Sequence, residues 1–167
     1  MVKIKKKISV IIRVKNEEQW IGHCIQSILD FIDKPEIIII DDHSTDDSLK
    51  ISSLFLEDPN LDNKSRNYTK IKFIKINNYT PGKALNLGVK NCSNPYILVI
   101  SAHCILKKMN TNSLINYLED NIAVFGNQIP RLHGKKIKKR YIWSHFVNKN
   151  LSNMYSKLED RLFFHNA

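Results

Sequence analysis

The chain has 167 residues, of which 43% are apolar and 25% are charged, so one packed domain is feasible and global disorder is excluded. No apolar run approaches the ~20 residues of a membrane-spanning helix, and the run behind the basic start is too short for a secretory signal peptide. Three cysteines (Cys24, Cys92 and Cys104) form neither a disulfide framework nor a metal-binding spacing. We therefore expect a reducing, cytoplasmic environment.

The net charge of +10 is distributed unevenly along the chain. Residues 1–15 carry six basic side chains and no acid, and residues 63–167 carry 18 basic against four acidic side chains. Residues 16–62 carry 12 acidic side chains against Lys34 and Lys50, which predicts an acidic site beside a basic surface. Arginine and aromatic residues do not interleave as they do on nucleic-acid-binding faces, so we expect no nucleic-acid partner.

Predicted strands and helices alternate along the chain. Residues 8–14 are a β-branched apolar run, and residues 36–40 are all apolar after Glu36, which predicts strands buried within a sheet. Between them, apolar residues recur at helical spacing from Trp20 to Ile32, behind a capping Asn16.

The pattern continues to the end of the sequence. Ser44 or Thr45 caps a second helix, residues 57–69 form a polar loop, and lysines within residues 71–76 indicate an edge strand. The remaining predicted elements, in chain order, are a helix at 81–91, a buried strand at 96–100, a helix at 114–118, a fifth strand at 122–125, a basic loop at 131–140 and a helix at 141–160.

This alternation predicts a single α/β domain with a doubly wound, mostly parallel, Rossmann-like sheet. In such sheets ligands bind at the carboxyl ends of the strands, near the point where the strand order reverses. Polar side chains lie at the ends of three of the predicted strands: Arg13, Lys15 and Asn16 at the first, Asp41 and Asp42 at the second, and His103 at the fourth. The sequence therefore predicts a binding site at this edge of the sheet.

The acidic segment 41–48 has two interpretations. Its four carboxylates need nearby cations or hydrogen-bond donors, and a carboxylate at a strand tip can bind a base or ribose hydroxyls. Serine, threonine and aspartate at a strand–helix turn also serve as ordinary helix caps, so capping alone explains the segment.

Two further segments also have two interpretations each. Pro81, Gly82 and Lys83 at a helix start suit a phosphate, or they simply begin a helix. His103 after a buried strand is either a ligand beside the carboxylates or a hydrogen-bonded structural histidine, and Cys104 is either a soft ligand or a buried inert thiol. A phospho-acceptor receiver domain is disfavoured, because such domains place their paired acids after the first strand.

Together these segments resemble the family 2 glycosyltransferases of GT-A fold. Residues 8–18, 36–46, 81–88 and 96–104 read ISVIIRVKNEE, EIIIIDDHSTD, PGKALNLG and YILVISAHC. The resemblance covers residues 8–130, and the final FFHNA is similar to the start of the family's acceptor segment.

The resemblance implies a domain that binds a nucleotide diphosphate sugar for transfer to a saccharide or lipid-linked acceptor in cell-surface polysaccharide synthesis. Asp42 would hold the base, and Lys83 would approach the base or phosphates. The implied donor contacts are Arg13, Lys15, Asn16, Asp41, Asp42, Lys83, Asn86 and Ser101. Residues 8–130 would form the nucleotide-sugar-binding part, and residues 131–167 a basic loop with an incomplete acceptor part.

The chain departs from the family pattern in two places. The family's Asp-x-Asp motif, whose last acid binds a divalent metal on the diphosphate, reads Ser101-Ala102-His103, so His103 is the implied ligand of Mn²⁺ or Mg²⁺. Imidazole suits Mn²⁺ better than Mg²⁺. The family's acidic general base lies beyond the Asn-Ala motif at Ala167, which predicts a truncated chain whose alternative role is an inactive nucleotide-sugar-binding remnant.

The basic segments 3–7 and 131–140 suit an anionic membrane surface, where lipid-linked acceptors would lie. The alternative is a solvated, lysine-rich surface. We therefore expect a cytoplasmic protein with peripheral contact at the inner face of the membrane.

Overall fold

The computed structural model describes residues 7–56, 68–132, 134–136, 155–156 and 160–162. The chain divides into two compact units, residues 1–115 and residues 116–167. The first unit is built on four strands: β1 (Ile8–Val14), β2 (Glu36–Asp41), β3 (Lys70–Lys75) and β4 (Tyr96–Ser101). The helices are α1 (Ile21–Phe31), α2 (Ser48–Ser53), α3 (Pro81–Asn91) and α4 (Thr111–Asp120), the last of which continues into the second unit.

The four strands form one parallel sheet in the order β3-β2-β1-β4, which confirms the predicted doubly wound α/β fold. The chain runs outward from β1 to β3 and then returns across β1 to add β4 on the other side. The strand order therefore reverses between β1 and β4. At the carboxyl end of these two strands, Arg13 is the register partner of Ser101.

Helices cover the central strands on both faces. Isoleucines from β1 and β2 pack with α1 on one face and with α3 on the other, and every residue of β2 is buried. Helix α3 approaches β1 closely, because a Cβ added at Gly88 would lie 2.7 Å from Cγ2 of Ile11. The predicted edge position of β3 is confirmed.

The predicted burial of β4 is wrong for one of its faces. Tyr96 and Leu98 pack into the core on the α1 side, whereas Ile97 and Val99 on the other face are 38% and 44% exposed. The cause is the placement of α3, which packs against β1 and β2. Strand β4 is an edge strand of the described sheet.

Two short antiparallel ladders lie among the described residues of the second unit. Strands β5 (Arg131–Leu132) and β6 (Lys135–Lys136) pair within the segment predicted as a basic loop, with Gly134 in the left-handed region at a φ of 76°. Strands β7 (Tyr155–Ser156) and β8 (Arg161–Leu162) also pair, so the helix predicted over residues 141–160 is wrong at β7. That helix is also wrong at Asp160, a turn residue with a φ of 49°. The rest of that helix, and residues 57–67 of the predicted loop, lie outside the described residues.

The fifth strand predicted at residues 122–125 is also wrong. These residues are irregular, and Ile122 is fully exposed. A four-residue apolar run becomes a strand only when another strand pairs with it, and no described strand lies beside this one. None of the described helices has the length and apolar character required to cross a bilayer.

Candidate functional site

Arg13 and Ser101 face each other where the strand order reverses. Nη2 of Arg13 donates to Oγ of Ser101 at 3.4 Å, which is a long hydrogen bond. Nε of Arg13 is buried and has no hydrogen-bond partner among the described residues. A buried donor without an acceptor costs free energy. This guanidinium therefore keeps one hydrogen-bond donor unsatisfied by the described residues, at the carboxyl edge of the sheet.

Lys15 and Asp42 form an ion pair beside this position. Their Nζ and Oδ2 atoms lie 2.8 Å apart, and the two side chains are 63% and 18% exposed. An ion pair open to solvent contributes little to folding stability. The Lys15 ammonium and the Asp42 carboxylate can therefore exchange each other for a ligand group that binds them more strongly.

Hydrogen bonds join the loop after β1 to the loop after β2, and we call these residues, 16–18 and 44–48, the loop lattice. The amides of residues 16, 17 and 18 donate to side chains of the second loop, and those of residues 45 and 47 donate back to the first. The bonds are Asn16 N to Ser44 Oγ (3.0 Å), Glu17 N to Ser48 Oγ (2.7 Å), Glu18 N to Asp46 Oδ2 (2.9 Å), Thr45 N to Asn16 Oδ1 (2.8 Å) and Asp47 N to Glu18 Oε2 (3.1 Å).

The loop lattice changes the role of Asn16. It is not a helix cap, because α1 begins at Ile21 behind Trp20, four residues later than a helix capped by Asn16 would begin. Instead, Asn16 adopts a φ of 54°, a left-handed conformation that asparagine tolerates well, and its Oδ1 accepts from the Thr45 amide. Asn16 thus holds the two loops together at the edge of the sheet.

The two interpretations of the acidic segment apply to different residues. Asp41 is 1% exposed, and its Oδ1 accepts from the amide of Ser44. Burial alone would raise the pKa of Asp46, but hydrogen bonds from the Ser48 hydroxyl and from the amides of Glu18 and Ser48 lower it. These two carboxylates support the loop, whereas Asp42 reaches the surface. The predicted cap at Ser44 or Thr45 is wrong, because α2 begins after Asp47.

Lys83 lies at the same edge of the sheet, beyond β3. Its Nζ donates to the carbonyl of Asn77 at 2.6 Å, and its amide donates to Oγ1 of Thr80, the residue that caps α3. The Asn77 side chain contacts Nε2 of His43 at 2.9 Å. Asn86 is exposed one turn further along α3 and lines an open groove of about 580 Å³ with Lys83 and Lys90.

His103 pairs with a residue 86 positions earlier. Its Nδ1 lies 2.9 Å from Oε1 of Glu17, and the His103 side chain is 59% exposed. Among the described residues, no three side chains of histidine, cysteine, aspartate or glutamate are grouped closely enough to hold a metal ion. One imidazole backed by a carboxylate nevertheless fits a cation whose other ligands are diphosphate oxygens and water.

The cysteines near His103 are poor candidate ligands. Burial, and then the nearby thiol of Cys104, raise the pKa of Cys24 to about 12. Burial also raises the pKa of Cys104. Both thiols are therefore protonated at neutral pH, whereas a metal is bound by the thiolate. This agrees with the interpretation of Cys104 as an inert thiol.

Three residues at this edge were not predicted as site residues: Glu17, His43 and Asn77. Sequence patterns alone predict no contact with the donor or the metal for Glu17, His43 or Asn77. The available signal was position, because each of the three follows closely on a predicted strand whose carboxyl end faces the candidate site.

Comparison with known proteins agrees with the fold. A family model described as Glycosyl transferase family 2 matches residues 9–167. An uncharacterized glycosyltransferase of Rickettsia conorii is 32% identical over 139 residues, which are 83% of this chain and 21% of that protein. The minor teichoic acid biosynthesis protein GgaA of Bacillus subtilis is 35% identical over 89 residues, 51% of this chain and 18% of GgaA.

The fold is also found in solved structures. The crystal structure of S. aureus TarS 1–349 in complex with UDP matches with a TM-score of 0.55 and 22% identity, over 75% of this chain and 38% of TarS 1–349. The chain spans about a fifth of the length of the curated relatives named above. Because the family model covers nearly the whole sequence, the chain belongs to glycosyl transferase family 2.

Proposed function

We propose that this chain binds a nucleoside diphosphate sugar at the carboxyl edge of its sheet and takes part in transferring the sugar to a saccharide or lipid-linked acceptor. The observation that carries the proposal is the Arg13–Ser101 pair, which places an under-satisfied guanidinium where the strand order reverses. That position is where open α/β sheets bind ligands.

The described residues divide into distinct roles toward the donor. Arg13 and Ser101 donate to the diphosphate, and Lys83 adds a second cation from the start of α3. Asp42, released from Lys15, accepts from the base. The Asn16 side chain holds the loops that carry these groups, and Asp41 supports the second loop from inside rather than touching the donor.

The positively charged side chains of Arg13 and Lys83 would stabilise the leaving group. When the sugar departs, negative charge develops on the diphosphate, and preorganised positive groups stabilise that charge. Because β1 holds Arg13 in place, its guanidinium needs little reorganisation when the negative charge develops. A divalent cation bound at His103 would act as a Lewis acid on the same oxygens.

The relatives indicate which donor and acceptor to test first. TarS has been crystallised with UDP and with UDP-GlcNAc, and GgaA is named for minor teichoic acid biosynthesis. We therefore propose a uridine nucleotide sugar as donor and a polymer of the cell surface as product. The basic residues Arg131, Lys135 and Lys136 would hold the enzyme at the anionic inner face of the membrane.

The binding test is isothermal titration of the chain with UDP and UDP-GlcNAc, with and without Mn²⁺. Arg13→Gln should weaken binding about tenfold or more, because a hydrogen bond to a charged group contributes about 1.5–3 kcal/mol. Lys70→Gln is the matched control, since Lys70 is exposed at the opposite edge of the sheet. Equal dissociation constants for wild type and Arg13→Gln, with the fold intact, would refute the placement of the diphosphate.

Turnover requires a separate test. Release of UDP from UDP-GlcNAc, with and without added saccharide acceptors, separates a transferase from a domain that binds the donor without reaction. Acceptor-dependent release supports transfer. Saturable binding without release supports a binding module.

A further inference from the structure

We propose that Glu17 is a positioning residue that fixes the tautomer and orientation of His103, so that Nε2 presents its lone pair to the ligand. The geometry is a 2.9 Å contact between Glu17 Oε1 and His103 Nδ1 that joins the loop after β1 to the loop after β4. The identity of the ligand rests on the proposed function, but the orientation of the ring does not.

Both partners stand on fixed backbone. The Glu17 amide donates to Oγ of Ser48 at 2.7 Å, and its carbonyl accepts from the amides of Trp20 and Ile21 at 2.9 Å each. The amides of its two neighbours, Asn16 and Glu18, also donate to side chains of the second loop. The Glu17 Cβ is therefore held in place without help from its carboxylate.

His103 is fixed in a similar way. Its neighbour Ala102 is 1% exposed, and the amide of Cys104 donates to the carbonyl of Ser101 at 2.9 Å to close the turn after β4. The backbone of residues 101–104 thus holds the imidazole beside Glu17. The side chain can still rotate about its two χ angles, and the Glu17 contact restricts this rotation.

The contact determines which ring nitrogen carries the proton. An ionised carboxylate only accepts hydrogen bonds, so Nδ1 must be the donor. In the neutral ring Nε2 is then unprotonated, and it lies on the side of the ring away from Glu17. A free imidazole side chain favours the opposite tautomer, with the proton on Nε2. Glu17 therefore selects the form that can bind a cation through Nε2.

A carboxylate behind a ligating histidine is a recurrent arrangement in metal sites. The carboxylate orients the ring and makes the nitrogen on the far side more basic, and its loss costs roughly 10–100-fold in metal affinity. The competing explanation is a surface ion pair between Glu17 and a protonated His103, which would have no effect on the neutral ring and little on stability.

The first experiment uses the ligand-free chain. Long-range ¹H–¹⁵N spectra of His103, recorded at a pH where the ring is neutral, report its tautomer directly. We expect the Nδ1–H form in wild type, the Nε2–H form in Glu17→Ala, and partial retention of the Nδ1–H form in Glu17→Gln, which keeps an acceptor oxygen. Glu18→Gln is the matched control, because Glu18 bonds the Asp47 amide rather than His103.

The second experiment measures Mn²⁺ in the presence of UDP. Glu17→Ala should reduce the enhancement of UDP binding by Mn²⁺ about 10-fold or more and leave metal-free UDP binding within twofold of wild type. An Nε2–H tautomer in wild type, or the same tautomer in wild type and Glu17→Ala, would overturn the proposal. If no variant binds UDP, the proposed function fails, and the tautomer spectra still decide the role of Glu17.

Discussion

Oε1 of Glu36, at the start of β2, accepts a 2.6 Å hydrogen bond from the hydroxyl of Ser93, 57 residues later in the chain. The other oxygen accepts from Oγ of Ser9 on β1 and from the amide of Ser93. Nζ of Lys72 on β3 lies 2.8 Å from Oε1. One buried carboxylate thus connects three strands and the loop before the fourth, at the edge opposite the candidate site.

This arrangement predicts acid sensitivity. Burial alone would raise the pKa of Glu36, but the bonds from Lys72, Ser9 and Ser93 outweigh it and hold the pKa at about 2. Because the folded pKa is depressed, the stabilisation is complete above the unfolded value of about 4.5 and is lost as the pH falls toward 2. Glu36→Gln should cost roughly 2–3 kcal/mol at pH 7 and progressively less below pH 4.5.

Urea unfolding at a series of pH values measures this difference. The control Asp47→Asn removes a carboxylate that is 62% exposed and should change the free energy of unfolding by under about 0.5 kcal/mol. A cost for Glu36→Gln that stays constant from pH 7 to pH 3 would contradict the assignment.

The close packing of α3 on β1 predicts a contrast between two glycines of that helix. An added Cβ at Gly88 meets Ile11 at 2.7 Å, so Gly88→Ala should destabilise the fold by about 1–3 kcal/mol through overpacking. Gly82 has no atom within 4 Å of an added Cβ, so Gly82→Ala should be neutral or slightly stabilising. Equal thermal stability of the two variants would show that Ile11 moves aside without cost.

Asp42 is predicted to contact the nucleoside. Asp42→Ala should weaken nucleotide binding by about 1–3 kcal/mol, the scale of a lost charge-assisted hydrogen bond. Isothermal titration with UDP measures the change, and Asp47→Ala, in the same loop, is the control. An unchanged dissociation constant in folded Asp42→Ala protein would exclude the contact.

His103 is predicted to carry the metal dependence. A neutral imidazole brings no negative charge, so we expect weak Mn²⁺ binding without nucleotide and Mn²⁺-enhanced binding of UDP. His103→Ala should abolish the enhancement and leave metal-free binding nearly unchanged. His23→Ala, at an exposed position on α1, is the control. If Mn²⁺ enhances UDP binding equally in His103→Ala and His23→Ala, His103 is not the metal ligand and its role is structural.

The basic segments predict binding to anionic lipid. Each lysine or arginine near such a surface contributes about 1 kcal/mol at low salt. Replacing Arg131, Lys135 and Lys136 together by glutamine should therefore reduce partitioning onto phosphatidylserine vesicles, measured by cosedimentation. Equal partitioning of the wild-type chain onto anionic and neutral vesicles would contradict the proposed binding to an anionic membrane surface.

The strongest predictions from sequence concerned elements whose signal is local. Residues 37–40 are four isoleucines in a row, and a strand buried on both faces is the structure that such a run favours. The alternation of these runs with amphipathic helices was enough to predict the sheet type, and parallel strands necessarily end at one edge. The position of Arg13, Asp42 and His103 at a shared edge followed from that geometry alone.

Partners distant in sequence were decided by the tertiary structure. Nothing near Glu17 indicates that its carboxylate meets a histidine 86 residues later, and Asn16 has the sequence signature of a helix cap although it bonds Thr45. The burial of β4 and the absence of a strand at residues 122–125 depended on which neighbours packed beside them. Local propensity determines what a segment can form, but pairing and burial are properties of two segments, and their free energy appears when the chain brings both together.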